Sequence, residues 1–167
     1  MLLYTDILSG DELISDAYDL TLVDDVIYEA DSKMIVIRNG EVDIGANASA
    51  EETSEALEDG DQQVNNIVNS FRLTQTSFDK KSYMVYIKGY MKAVKAHLQE
   101  TNPDRVAAFE KGAQTWVKKV LANFKDYEFY TGESMDPSGM CALLNYREDG
   151  TTPYFSFWKD GMKEVKL

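Results

Sequence analysis

Two short turns that carry carboxylates are the features of this sequence with the clearest capacity for chemistry. Asp11 and Glu12 lie in the turn at residues 9–12, and Glu133 and Asp136 lie near turns closer to the C-terminus. A carboxylate held on a rigid turn can pair with a lysine or arginine of a partner protein, or approach a partner's Mg²⁺. Solvated acids without a partner are the alternative interpretation. Nothing in the sequence indicates that the two turns are adjacent.

The chain contains one cysteine, Cys141, and one histidine, His97. This composition excludes a disulfide framework, a multi-cysteine zinc site and most histidine-dependent triads. Cys141 lies in the apolar run GMCALL, which is typical of a small buried hydrophobic residue. The sequence has no phosphate-binding glycine motif and no EF-hand loop. We therefore expect no zinc and no other cofactor, and at most a weak calcium site whose ligands the sequence does not identify.

Charge is distributed unevenly along the chain. The 167 residues include 17 basic and 29 acidic side chains, a net charge of −12. Residues 80–119 contain nine basic and three acidic residues, a net charge of +6, which leaves −18 for the rest. Lys88, Lys92 and Lys95 in this basic segment could contact an acidic protein surface, although a solvated helix face is the alternative. The acidic total argues against general nucleic-acid binding.

Short apolar runs at both ends of the chain predict strands. Within residues 1–38, runs of β-branched and aromatic residues are separated by turn signals, and we expect a hairpin turn at Asp31 and Ser32. Strands return from residue 127 onward, with a hairpin turn at residues 148–150. Because strands flank the middle of the chain on both sides, the N- and C-terminal strands are expected to share one sheet.

The segment between the first strands and the helices is expected to contain a loop followed by a strand. Residues 39–63 contain eight acidic and no basic residues, which predicts a mobile acidic loop. Residues 64–78 then return to the composition of a strand, with Val68, Phe71 and Leu73 as the expected buried positions.

Residues 79–124 have helical periodicity and predict an inserted helical hairpin. Asp79 is the expected N-cap of the first helix, and its apolar residues recur every three or four positions. A break at residues 101–103 is expected to start the second helix, with Asn102 as N-cap and Pro103 at the first helical position. The short break predicts antiparallel helices with lysines on their outward faces.

The N-terminal residues lack the basic region and cleavage site of a signal peptide, and no apolar run is long enough to span a membrane. We therefore expect a single domain, residues 1–167, of α+β class, located in the cytoplasm.

Two long segments resemble the signatures of the translationally controlled tumour protein family. They are IGANASAE at residues 44–51 and FKDYEFYTGESMDPSGMCALLNYRED at residues 124–149. The opening MLLYTDILSGDELISD and the helical segment YIKGYMKAVKAHLQETNP are similar to the family as well, and the resemblance is strongest to its fungal branch. It covers essentially the whole chain.

The resemblance implies a twisted, mainly antiparallel β-body with a projecting helical hairpin. This fold is similar to that of the Rab-GTPase chaperones and of one class of methionine-sulfoxide reductases. The family is associated with the elongation factor one complex, ribosomes, small GTPases, weak calcium binding and tubulin. A reductase needs a reactive thiolate, and Cys141 in its apolar strand is not expected to provide one.

The resemblance also assigns residues to the expected partner surface. The family associates the glutamate that matches Glu12 with GTPase contact, and Asn47, Ser49 and Glu51 belong to the first signature. A local turn that holds the loop base is the alternative role for these three. We expect a non-enzymatic binding protein that modulates a partner's nucleotide state, or alternatively a calcium- and microtubule-binding protein that acts through the lysine-rich hairpin.

Overall fold

The computed structural model describes residues 1–38, 41–43 and 62–166. Twelve strands and three helices occupy these ranges. The elements are β1 (Leu2–Asp6), β2 (Glu12–Ser15), β3 (Leu20–Val23), β4 (Ile27–Asp31), β5 (Met34–Arg38), β6 (Glu41–Asp43), β7 (Gln62–Asn65), α1 (Asn66–Phe71), β8 (Thr74–Thr76), α2 (Lys80–Thr101), α3 (Val106–Ala122), β9 (Glu128–Thr131), β10 (Ala142–Tyr146), β11 (Pro153–Trp158) and β12 (Met162–Lys166). The combination of helices and antiparallel strands confirms the expected α+β class.

The strands form three antiparallel sheets. Their orders are β12-β1-β2, β3-β4-β11-β10-β9-β8 and β6-β5-β7. Pairing of Leu2 with Lys166, and of each following residue in register, joins the first strand to the last. The expected common sheet for the two ends of the chain is therefore confirmed. The hairpin turn expected at residues 148–150 is also confirmed, because β10 and β11 pair on either side of it.

The hairpin expected at Asp31 and Ser32 is wrong. Strand β4 pairs with β3 and β11, whereas β5 pairs with β6 and β7, so the chain changes sheets at this point. Ser32 stabilises the junction through bonds to distant residues. Its backbone N–H donates to the carbonyl of Pro153 at 2.8 Å, and its hydroxyl accepts from Asn65 Nδ2 at 2.7 Å.

The single strand expected at residues 64–78 is interrupted by helix α1. Asn65 caps this helix, because its side-chain oxygen accepts from the backbone N–H groups of Ile67 and Val68. Arg72 ends it in a left-handed conformation, with φ of 55°. Ile67 and Leu73 are buried, while Val68 and Phe71 are only partly buried. A six-residue helix offers too few turns for its period to be recognised in the sequence.

The helical hairpin occupies the expected span. Asp79 and Ser82 form a reciprocal capping box at the start of α2. The buried face of α2 consists of Tyr83, Ile87, Tyr90, Val94 and Leu98. Asn102 and Pro103 occupy the expected N-cap and first helical positions, but of a 3₁₀ turn at Pro103–Arg105 that precedes α3, and the Asn102 side chain makes no capping bond.

Arg105 fastens the hairpin to the β-body. Its guanidinium donates to Asp160 through Nε at 2.9 Å and to Asp25 Oδ2 through Nη1 at 2.6 Å. Asp24 and Asp25 both adopt positive φ angles of 52° and 64° in the β3–β4 turn. Asp24 also accepts from Lys119 Nζ at 2.8 Å. These ion pairs offset the cost of two non-glycine residues in the left-handed region.

Candidate partner-binding site

The turn between β1 and β2 is built around Asp6. The residue is buried, with 3% of its surface exposed. It accepts from the Leu8 N–H at 2.9 Å, the Ser9 hydroxyl at 2.9 Å and the Met140 N–H at 2.6 Å. Gly10 occupies the left-handed region with φ of 79°, where a residue without a Cβ is favoured. The buried Asp6 carboxylate thus fixes the backbone that presents Asp11 and Glu12.

Asp11 joins this turn to the second acidic turn. Its Oδ2 accepts from the Ser134 hydroxyl at 2.6 Å and from the Ser134 N–H at 3.2 Å. Gly132 lies directly against the Asp11 side chain, so closely that a Cβ at this position would clash with it. The structure therefore brings together the two turns whose adjacency the sequence left open.

Glu12 and Glu133 share one shallow depression with Arg72. The depression has a volume of about 420 Å³, and Asp11, Ser70 and Phe71 also line it. Arg72 Nη1 donates to Glu133 Oε1 at 3.1 Å, and both side chains are largely exposed. We call Asp11, Glu12, Arg72 and Glu133 the acidic surface. It carries three carboxylates and one guanidinium, so its predominant charge is negative.

Arg72 was not among the residues expected at this site. Arg72 is the left-handed residue that ends helix α1, so this helix determines its position. The helix was not recognised in the sequence. One signal was available, because Arg72 is the only basic residue between Arg38 and Lys80. An isolated base in an acidic stretch is a candidate for pairing with a nearby carboxylate.

The remaining expected residues of the partner surface are Asp136 and three residues of the first signature. Asp136 is not part of the acidic surface. It lies on the other side of the same loop, where its Oδ1 accepts from the Ser138 N–H at 2.8 Å. Asn47, Ser49 and Glu51 lie outside the described residues.

Comparisons with known proteins identify the family. Residues 1–163 match the family model for translationally controlled tumour protein. This chain belongs to the translationally controlled tumour protein family.

Relatives from fungi share most of the sequence. A translationally controlled tumour protein homologue of Debaryomyces hansenii is 66% identical, and one of Kluyveromyces lactis is 64% identical, with all of each chain covered. The solved structure of the tumour-associated protein p23fyp from Schizosaccharomyces pombe is 65% identical and has a TM-score of 0.83, with all of both chains covered. The NMR structure of the translationally controlled tumour protein from Caenorhabditis elegans is 34% identical and has a TM-score of 0.72. The match covers 100% of this chain and 99% of the Caenorhabditis elegans chain.

The three lysines expected to contact an acidic partner all lie on helix α2. Lys88 and Lys92 are exposed and four residues apart, so they lie on one helix face. Lys95 differs, because its Nζ pairs with Glu110 Oε1 of α3 at 2.6 Å. Lys95 therefore links the two helices, and Lys88 and Lys92 are the lysines of this trio that remain for an acidic partner.

Cys141 is 2% exposed, as expected of a buried hydrophobic residue. Burial raises the pKa of its thiol to about 12, so almost no thiolate forms at neutral pH.

Within residues 1–38, 41–43 and 62–166, no three His, Cys, Asp or Glu side chains are grouped closely enough to hold a metal ion. Weak calcium binding stays a prediction. In the same ranges, no helix combines the length and apolar character needed to cross a membrane.

Proposed function

We propose that this chain is a cytoplasmic, non-enzymatic binding protein whose acidic surface contacts the GTPase of the elongation factor one complex. The observation that carries this proposal is that Glu12 and Glu133 share one depression, although they are 121 positions apart in the sequence. Family resemblance associates the Glu12 position with GTPase contact, and the geometry adds Glu133 and Arg72 to the same surface.

A rigid turn supports this role. The Asp6 carboxylate holds the backbone of the β1–β2 turn, and Asp11 ties that turn to Ser134. Glu12 is therefore presented on a surface that is already ordered before a partner arrives. Pre-organisation of this kind lowers the entropic cost of association and favours specific contact.

The charges of the acidic surface favour a partner with lysine or arginine side chains. The pair between Arg72 and Glu133 is exposed, and exposed pairs contribute only about 0–1 kcal/mol. A partner's cation can therefore replace Arg72 beside Glu133 at little cost. Glu12, which is exposed on the same depression, offers a second carboxylate to the partner.

The proposed mechanism is selection among the partner's nucleotide states. Binding shifts the population only if the acidic surface has different affinities for those states. Ribosomes and small GTPases of other classes are further candidate partners of this surface. A catalytic role has less support, because the single thiol is buried and its pKa is raised.

Direct binding of the full chain to the purified elongation factor one GTPase tests this proposal. The GTPase is prepared GDP-bound, GTP-bound and nucleotide-free, and the chain as wild type, Glu12→Ala and Glu100→Ala. Glu100 is exposed at the end of α2, so it controls for the loss of one surface charge. We expect binding that depends on the nucleotide state and is weakened about tenfold or more by Glu12→Ala alone. Equal affinity for all three states would contradict the proposal.

A second candidate function is that of a calcium- and microtubule-binding protein whose helical hairpin contacts acidic tubulin surfaces. The observation that favours it is the exposed position of Lys88 and Lys92 on one face of α2. Cosedimentation of the double variant Lys88→Gln/Lys92→Gln with microtubules tests it, with Lys33→Gln/Lys163→Gln as the control. If cosedimentation is equal for the two variants, the hairpin is not the contact.

A further inference from the structure

An apolar groove lies on the other side of the loop at residues 132–139 from the acidic surface. Its volume is about 440 Å³, a size typical of ligand sites. Strand β8, the first turns of α2 and this loop form its walls. Apolar and aromatic side chains of Phe78, Val85, Tyr86, Met135 and Pro137 contribute to the lining.

The inner part of the groove is preformed. Tyr86 is largely buried there, and its hydroxyl donates to the Gly139 carbonyl at 2.7 Å. The same oxygen accepts from the Cys141 N–H at 2.8 Å. These two bonds fix Tyr86 to the residues just before β10, so the groove does not have to form upon binding.

The rim of the groove exposes apolar side chains. Val85 is 70% exposed and Met135 is 60% exposed. Met135 also has a φ of 59°, a left-handed conformation that is unfavourable for a residue with a Cβ. Its N–H donates to the Gly132 carbonyl at 3.0 Å, which holds the loop in this conformation. Strained residues and exposed apolar patches both concentrate at binding sites.

Strand β8 gives the groove one wall with hydrogen-bonding capacity. In the described part of the chain, β8 is the last strand of the six-stranded sheet and pairs only with β9. An extended peptide can add to such an edge through backbone hydrogen bonds, with its alternate side chains in adjoining pockets.

The charge of the groove indicates which peptide it fits. Asp136 is the only charged residue among the described residues that line the groove. One of its carboxylate oxygens accepts from the Ser138 N–H, so the side chain is oriented. A lysine or arginine two positions from an apolar residue points to the same side of an extended segment, so its cation can lie at Asp136 while the apolar side chain lies between Val85 and Met135.

We propose that this groove binds an extended segment of a partner protein, rich in apolar residues and flanked by a basic residue, which adds to strand β8. The surface is separate from the acidic surface and does not depend on the function proposed above. A partner can therefore occupy the two sides of the loop at residues 132–139 with different segments. The backbone of the segment pairs with β8, its apolar side chain fills the groove and its cation pairs with Asp136.

NMR titration of the ¹⁵N-labelled full chain with the capped peptide Ac-TKVLVKT-NH₂ tests this inference. We expect saturable shifts of the amide signals of β8, Val85 and Met135, with a Kd of about 0.1 to 1 mM for so short a peptide. The variant Asp136→Asn keeps the oxygen that accepts from Ser138 but removes the charge. It is expected to weaken binding about two- to fivefold.

Further variants separate the contributions of the groove. Val85→Ser combined with Met135→Gly removes both rim side chains and is expected to weaken binding about tenfold. Leu22→Ser is the matched control, because Leu22 is an exposed apolar residue on β3 at the opposite edge of the same sheet. Leu22→Ser and Glu12→Ala are both expected to leave the peptide affinity unchanged.

Several results would overturn the inference. The peptide could fail to bind at millimolar concentration, or it could shift signals at β3 instead of β8. Equal affinity for a peptide N-methylated at alternate residues would exclude strand addition. If the groove signals shift with protein concentration alone, a second copy of this chain occupies the groove instead of a partner's segment.

Discussion

The helical hairpin and the acidic surface differ in the sequence separation of the bonds that build them. At the start of the hairpin, Asp79 and Ser82 are three positions apart and cap the helix reciprocally. At the acidic surface, Asp11 bonds to Ser134, which is 123 positions away. Damage to a local cap should therefore affect stability alone. Damage to the long-range bonds should affect stability and partner binding together.

The largest effect is expected from removing the Asp6 carboxylate. Asp6→Ala leaves the donors of Ser9, Leu8 and Met140 without their acceptor in a buried region. We expect a loss of about 2–4 kcal/mol in the free energy of unfolding, together with weaker partner binding. Urea denaturation measures the first effect, and titration with the GTPase measures the second. Asp19→Ala, at an exposed position of the β2–β3 connection, is the control and should change neither quantity.

A smaller effect is expected at Gly132, which contacts the Asp11 side chain. Gly132→Ala pushes Asp11 away from Ser134 and is expected to cost about 1–3 kcal/mol of stability. The matched control is Gly89→Ala on α2, where a Cβ meets no other atom within 4 Å. That variant should gain about 0.5–1 kcal/mol, because alanine is the better helix former. Equal stability of the two variants would mean that the contact between Gly132 and Asp11 does not constrain the surface.

Removing the local cap of α2 is expected to lower stability without weakening partner binding, unlike changes at the long-range sites Asp6 and Gly132. Asp79→Ala removes the acceptor for the Ser82 N–H, so the first turn of α2 loses its capping bond. We expect Tm to fall by about 2–4 °C, with no change in binding of the GTPase to the acidic surface. Thermal unfolding followed by circular dichroism, with Lys80→Ala as the control, measures the first effect. A coupled loss of GTPase affinity would show that the two regions are not independent.

The smallest effect is expected at another local turn, between β10 and β11. The Thr152 hydroxyl and the Thr152 and Thr151 N–H groups donate to Asp149 and lower its pKa from 3.8 to about 2. Since the folded-state pKa is the lower one, the ionised Asp149 stabilises the fold above pH 4, and this contribution is lost as pH falls toward 2. The stability difference between wild type and Asp149→Asn should therefore shrink over this range. Denaturation at several pH values checks this, and a stability difference that stays constant over this range would contradict it.

The parts of the fold that depend on local pattern could be predicted from the sequence. The apolar period of α2 and the cap at Asp79 locate the hairpin, and the turn at residues 148–150 locates the last strand pair. The sheet change at Ser32 could not be predicted, because it depends on bonds to Asn65 and Pro153. An alternating apolar pattern indicates that a segment forms a strand, but it does not indicate with which other strand that segment pairs.

Three of the four residues that form the acidic surface could be identified from the sequence, but their assembly could not. Asp11, Glu12 and Glu133 are recognisable as turn acids, whereas their adjacency arises only from the bond between Asp11 and Ser134. Arg72 was missed because a short helix positions it. Long-range polar contacts of this kind leave no periodic signal in a single sequence.

Hydrogen exchange of the full chain, alone and with the nucleotide-free elongation factor one GTPase, tests the central claim most directly. We expect protection at residues 9–12 and 132–134, the two segments that form the acidic surface with Arg72. Protection there should be absent with Glu12→Ala, while the exchange of the hairpin around Lys88 and Lys92 stays unchanged. Protection confined to that part of α2 would contradict the account and place the contact on the helical hairpin.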